Sequence, residues 1–411
     1  MPSDALPPAV RPRIRSRIPL GFVGMIAIIV GVESCVMKHD YDLTTLVASN
    51  WQIEGKAPAR HAAGHEILCF GDSMVKFGIQ PRVLGASLGK SVYNFALYCG
   101  PPQTSYYMLQ RAFDAGAKPA AVLVDFQPEL LMGDAMTLTS RTFPEILTFR
   151  ELFDLCWRAH GSKRSPQDRS PSDRSPPDPR SASDYFAEYV VSKLIPSSRK
   201  RYEIRAAVLA AIKGESVSVK ERLLAARRNW KLNKGAEALA KNPYYFGEVP
   251  EFGAYPAMFW MPWKCNELSR GYLERFLELA ASRKVPVFWL LQPNANEVDL
   301  KREKVGYNAM YNQFVRHYQD LFPNLVVVDG RHVNYPYQYF TDPVHLDRNG
   351  AVAYSLGVAD VVRAYLEGSS LARRWVDLPD RRARSEEVAL EDNGQSAVVI
   401  KAEAEATKVR R

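Results

Sequence analysis

The chain has 411 residues, a formal net charge of +9, 46% hydrophobic and 11% aromatic residues. This allows one large domain with insertions or two domains, with ample material for a packed core. The basic residues crowd the N-terminus (Arg11, Arg13, Arg15, Arg17), the segment 198–231 and the tail without any nucleic-acid reader motif, and the cysteines Cys35, Cys69, Cys99, Cys156 and Cys265 lack CxxC spacing, which argues against a nucleic-acid binder, a disulfide framework and a zinc cluster.

The first element predicted is a membrane segment. "RPRIRSR" precedes the apolar run "IPLGFVGMIAIIVGV" at 18–32, which extends to Met37 if Glu33 is taken in. Arginines before the run hold that end in the cytoplasm, so residues 1–40 read as a basic segment and an uncleaved signal anchor, with a cleaved signal peptide as the second choice. The chain beyond would then lie outside the cytoplasm, on the periplasmic or extracellular face.

After a polar stretch, strand and helix patterns alternate. "EILCF" (66–70), "SVYNFAL" (91–97) and "PAAVLVDF" (119–126) read as strands, and "TSYYMLQRAFDAG" (104–116) as a helix. The alternation stops near 130 and resumes near 266. A helix is expected over 267–284, a strand over 285–293, a helix over 304–322, a strand over 324–329 and a closing helix over 348–368. The order predicts an α/β fold: a three-layer α/β/α domain on a five-stranded parallel sheet, in two halves (65–130 and 266–368), split by a mostly helical insertion (131–265). Within the insertion, the Arg-Ser-Pro repeat at 164–183 holds almost nothing apolar and is expected to be disordered, as is the tail 369–411. The aromatic run "NPYYFGEVPEFGAYPAMFWMPW" (242–263) can pack on its own domain or stack on sugar rings. Cys69 and Cys99 are expected to be buried.

"CFGDSMVKFG" at 69–78 places Ser73 just after the first strand. A serine hydroxyl needs a base to become a nucleophile, and the base needs a group to orient it. Two Asp-x-x-His pairs follow the later strands: Asp329/His332 at the end of the last one and Asp342/His345 just before the last helix. The second pair is the better candidate, because Pro343 stiffens its turn and the following helix fixes its position. Asp72, beside the serine, is expected to cap the helix that starts there. No metal-ligand cluster, phosphate-cradling loop or dinucleotide fingerprint is present in the sequence, so neither a metal nor a cofactor is expected.

Gly-Asp-Ser after an N-terminal strand, with "DPVHLDRNGA" before the final helix, resembles the SGNH/GDSL hydrolase superfamily over roughly 65–130 and 266–368. The resemblance implies a flavodoxin-like fold, Ser73 as nucleophile, His345 as general base and Asp342 as its orienting acid. It also implies an oxyanion hole from the Ser73 N–H, a glycine after the second strand (Gly100) and an asparagine after the third. Gln127 stands at about that third place, and Asn94 is a further candidate donor. With the N-terminal anchor, the chain looks like the alginate O-acetyltransferase-type and teichoic-acid D-alanine transfer proteins. Such a protein would be an anchored serine esterase or O-acyltransferase. Its partners would be an acyl donor, a polysaccharide acceptor and a membrane-bound acyltransferase. The alternative is a catalytically inactive assembly partner in a polysaccharide export or modification complex.

Overall fold

Short, continuous apolar runs build a sheet whose two faces are both covered. The computed structural model describes residues 20–38, 45–133, 143–161, 182–213, 219–251, 258–259, 261–368, 373–385 and 388–409. The basic segment 1–19 lies outside them, and so does the Arg-Ser-Pro repeat up to residue 181.

In the first half, α1 (Leu20–Lys38) and α2 (Leu46–Glu54) precede β1 (Ile67–Phe70), α3 (Ser73–Gly78), α4 (Pro81–Leu88), β2 (Val92–Asn94), α5 (Pro102–Asp114), β3 (Ala121–Val124) and α6 (Pro128–Met132). The insertion carries α7 (Phe149–Gly161), α8 (Ala182–Leu194), α9 (Pro196–Arg199), α10 (Arg201–Ile212) and α11 (Val219–Leu232). The second half holds α12 (Glu267–Ser282), β4 (Val287–Leu291), α13 (Asn296–Lys304), α14 (Tyr307–Leu321), β5 (Leu325–Asp329) and α15 (Arg348–Leu366). Beyond it come β6 (Trp375–Asp377) and α16 (Asn393–Val409).

All strand pairs are parallel, in the order β2-β1-β3-β4-β5-β6. Alternate residues of each strand feed two separate cores. Leu68, Phe70, Val122, Val124 and Trp289 pack against α5, α12 and α14 on one face. Ile67, Cys69, Leu123, Phe288 and Leu290 pack against α4 and α15 on the other. This is a doubly wound, three-layer sheet, and the strand order reverses between β1 and β3, where such sheets place their ligands.

Two expectations are corrected. The sheet has six strands rather than five, because β6 pairs with β5 through Val327, Val328 and Asp329. The tail is not disordered over its described part: α16 packs on α11, with Ser396 fully buried. The helix expected over 304–322 is present as α14, starting just after Gly306 at a left-handed φ of 78°, and α13 before it was not expected.

Helix α1 is long and apolar enough to cross a membrane or to act as a signal sequence. Its side chains are almost all exposed; Val36 is buried, and Glu33 is partly covered.

Candidate active site

Ser73 is the first residue of α3, and the strand-to-helix turn before it can be made only by glycine. Gly71 has φ +131°, and a Cβ there would sit 2.9 Å from the Asp125 carbonyl oxygen. Asp72 then caps the helix as expected, its Oδ1 accepting the Met74 N–H at 2.7 Å. Ser73 is thereby left half-buried at the C-terminal edge of β1.

The base arrives from the far end of the sequence on a clamped loop. Phe340 and Leu346 form an antiparallel bridge, the Thr341 N–H donates to the His345 carbonyl at 2.9 Å, and the Pro343 carbonyl accepts from the Ala295 N–H at 2.9 Å. Asp347 caps α15 through the Gly350 N–H at 2.8 Å. Between these fixed points, Asp342 Oδ2 lies 2.7 Å from His345 Nδ1, and His345 Nε2 lies 2.9 Å from Ser73 Oγ. The Phe77 ring meets the imidazole edge to face at 4.9 Å and fixes its plane.

Burial pushes the Asp342 carboxyl upward. The His345 charge and hydrogen bond, with the N–H groups of Val344 and His345 on Oδ1, more than offset it and hold Asp342 below the usual carboxylate range. An ionised Asp342 accepts a hydrogen bond from the Nδ1–H, which fixes that tautomer and leaves the Nε2 lone pair facing the serine hydroxyl. Serine, histidine and aspartate thus stand in the relation a proton-abstracting triad requires.

The competing pair is otherwise engaged. Asp329 is buried and bound by Arg331 at 2.6 Å, and it also accepts from the Trp375 indole at 3.3 Å. His332 is 71% exposed and 3.7 Å from that carboxylate. Asp329, His332 and Asp377 lie close enough to share a cation, but the Arg331 guanidinium already neutralises Asp329.

The predicted oxyanion donors fare differently. The Ser73 N–H is the first of α3 and makes no hydrogen bond among the described residues. Gln127 ends the β3 loop half-buried, its backbone N–H against Asp72, and its side-chain amide has no partner among the described residues. Gly100 packs so tightly on the Gly71 carbonyl that a Cβ would approach to 2.7 Å, yet its N–H donates to Leu97 at 3.2 Å within its own turn. Asn94 is corrected outright. It is fully buried, and its amide donates to the carbonyls of Val75 (2.8 Å) and Ile79 (3.0 Å), which holds α3 against β2. Cys99, expected to be buried, is exposed, at φ +52° beside Gly100.

A set of charged groups not foreseen from the sequence lies beside the serine turn. Asp125, at the end of β3, and Asp72 are both buried, and Glu129 is ion-paired to Arg302 of α13. Burial raises Asp125 well above the carboxylate range, and Asp72 and Glu129 add to the effect while Arg302 opposes it. Burial likewise pushes Asp72 up to about 7, with Glu129 adding and the Met74 and His345 contacts opposing. One guanidinium faces three carboxylates, and burial holds Asp72 and Asp125 toward their neutral forms. The signal for Asp125 was a charged residue closing the buried run "AAVLVDF". Arg302 had no such signal, because only the docking of α13 brings it here.

No protein-family model matches the chain, and no curated protein matches it either.

Proposed function

We propose that the protein is a serine esterase or O-acyltransferase of the SGNH/GDSL type, held at a membrane by α1 and acting on an envelope or exported polysaccharide. The observation that carries this reading is the Ser73 Oγ to His345 Nε2 distance of 2.9 Å, with Asp342 2.7 Å behind the imidazole, across 272 residues of sequence. Position supports it as well, since Ser73 sits at the β1 end beside the point where the strand order reverses.

In this mechanism Ser73 Oγ attacks the carbonyl carbon of an acyl donor as its proton passes to His345 Nε2. The Ser73 N–H and the Gln127 amide face the developing oxyanion. Collapse expels the donor's leaving group, which takes the proton from His345 and leaves acyl-Ser73. A sugar hydroxyl then gives its proton to His345 and attacks the acyl carbon, which releases Ser73 and completes transfer; water in its place gives hydrolysis. Asp342 holds the imidazole and stabilises its protonated form throughout.

A second reading has its own observation. Two of the four candidate oxyanion donors, Asn94 and Gly100, are spent inside the protein. That favours an inactive binding partner with a residual triad.

The full chain in detergent, incubated with a fluorophosphonate probe and p-nitrophenyl acetate, separates the two. Covalent labelling and acetate release that vanish in Ser73→Ala and His345→Ala are expected. A folded wild type that takes no label rules out the acyl-serine mechanism and leaves the binding reading.

A further inference from the structure

The insertion keeps large apolar side chains in solvent after its core has been satisfied. Helix α7 turns Leu152, Leu155 and Cys156 inward, yet Phe149, Phe153 and Trp157 form a second stripe at four-residue spacing on its exposed side. Trp157 is 67% exposed and stacks on Phe153. Leu194 at the end of α8 is 65% exposed, and Ile212 of α10 is 76% exposed beside exposed Val208 and Leu209. A helix apolar on both sides belongs against something apolar on both sides.

What lies there follows from α1. Its apolar run ends at Val32, and the next residue, Glu33, is tied to the insertion: the Ser197 N–H donates to Oε2 at 2.9 Å and the Ser197 hydroxyl to Oε1. Ser197 belongs to α9, which packs on α1 and links α8 to α10. The insertion is therefore clamped at the level where the membrane-crossing run gives out. Arg150, Arg158, Arg201 and Arg205 are exposed on the same helices, and a tryptophan with basic neighbours is the side-chain set that settles at a headgroup boundary.

We infer that the apolar stripes of α7, α8 and α10 lie in the bilayer interface around the exit of α1, so that the insertion is a second, flat attachment holding the catalytic domain at a fixed height above the lipid. This rests on α1 being a membrane span. The occupant is the lipid surface itself, with the arginines over anionic headgroups.

The test uses the full chain reconstituted in vesicles of phosphatidylcholine and phosphatidylglycerol, with the exposed thiols removed (Cys35→Ala, Cys99→Ala). An environment-sensitive fluorophore is placed by Trp157→Cys, Leu194→Cys or Ile212→Cys, and by Leu300→Cys as an exposed apolar control on α13. Carbonate washing is run on each sample. The expected result is a carbonate-resistant chain whose three insertion probes are blue-shifted and quenched severalfold more than the control by lipids spin-labelled near the headgroup. A carbonate-resistant chain whose insertion probes match the Leu300→Cys control overturns the inference and leaves the anchor intact. A chain stripped by carbonate overturns the anchor, and the inference falls with it.

Discussion

At the residue scale, the role of each histidine is decided by what its aspartate already holds. Asp342 gives both oxygens to His345 and its turn, whereas Asp329 is taken up by Arg331 and Trp375. Asp342→Asn should preserve the loop but allow the wrong imidazole tautomer, so acyl-enzyme formation should slow by about 10³–10⁴-fold, measured as the rate of fluorophosphonate labelling. His332→Ala, in the same assay, should label at the wild-type rate. Asp72 carries a second expectation. Its native value near 7 lies above the unfolded value of 3.8, so between those pH values the folded chain keeps a proton that the unfolded chain has lost. Stability from this group is therefore full below about pH 4 and falls as pH rises to 7, by about 4 kcal/mol. Asp72→Asn keeps the helix cap and removes that slope. Denaturant midpoints at pH 5 and pH 7 should differ less in the variant than in the wild type. The Ser73–His345–Asp342 relation was legible in the sequence because each residue sits in a short local pattern. Asn94 was misread because its pattern, a polar residue ending a strand, does not tell a donor facing substrate from one facing its own backbone.

At the element scale, the strands were readable because both faces of the sheet are covered, which makes each one a continuous apolar run. Strand β6 was not, since it has three residues, none of them fully buried, at the sheet edge. Helix α2 was also missed. Its sequence is mixed, and what holds it is distant: Trp51 donates to the Tyr98 carbonyl at 2.8 Å, and Glu54 pairs with Lys76 of α3 at 3.2 Å with both side chains out of water. Burial raises Glu54 and lowers Lys76, while their mutual attraction opposes both shifts. Removing one partner strands the other. Lys76→Met should cost about 3–5 kcal/mol in chemical denaturation, and Glu54→Leu added to it should recover most of the loss. Equal destabilisation in the single and double variants would show that the side chains matter by volume alone.

At the scale of the whole molecule, segments far apart in sequence close over one buried carboxylate. Glu237 receives the Trp230 indole at 2.6 Å, the Tyr98 hydroxyl and the Asn393 amide at 3.1 Å. Asn229 donates to the Glu391 carbonyl at 2.9 Å and to Ser396 at 3.2 Å. Deleting residues 388–411 leaves several of these groups without a partner, at about 1–3 kcal/mol each. The truncated chain should melt several degrees lower, with faster hydrogen exchange in α11 than in β1. A tail that could be removed at no cost would contradict this account. The same closure sets an order of events in time. A ribosome delivers β1 and Ser73 more than 300 residues before it delivers Asn393, by subtraction of their numbers. Until the later stretches arrive, Glu237 lacks a ligand, α11 lacks its neighbour, and Ser73 lacks His345. The nascent chain therefore spends most of its synthesis without the Ser73–His345 contact, and its last structural lock closes only when translation is almost complete.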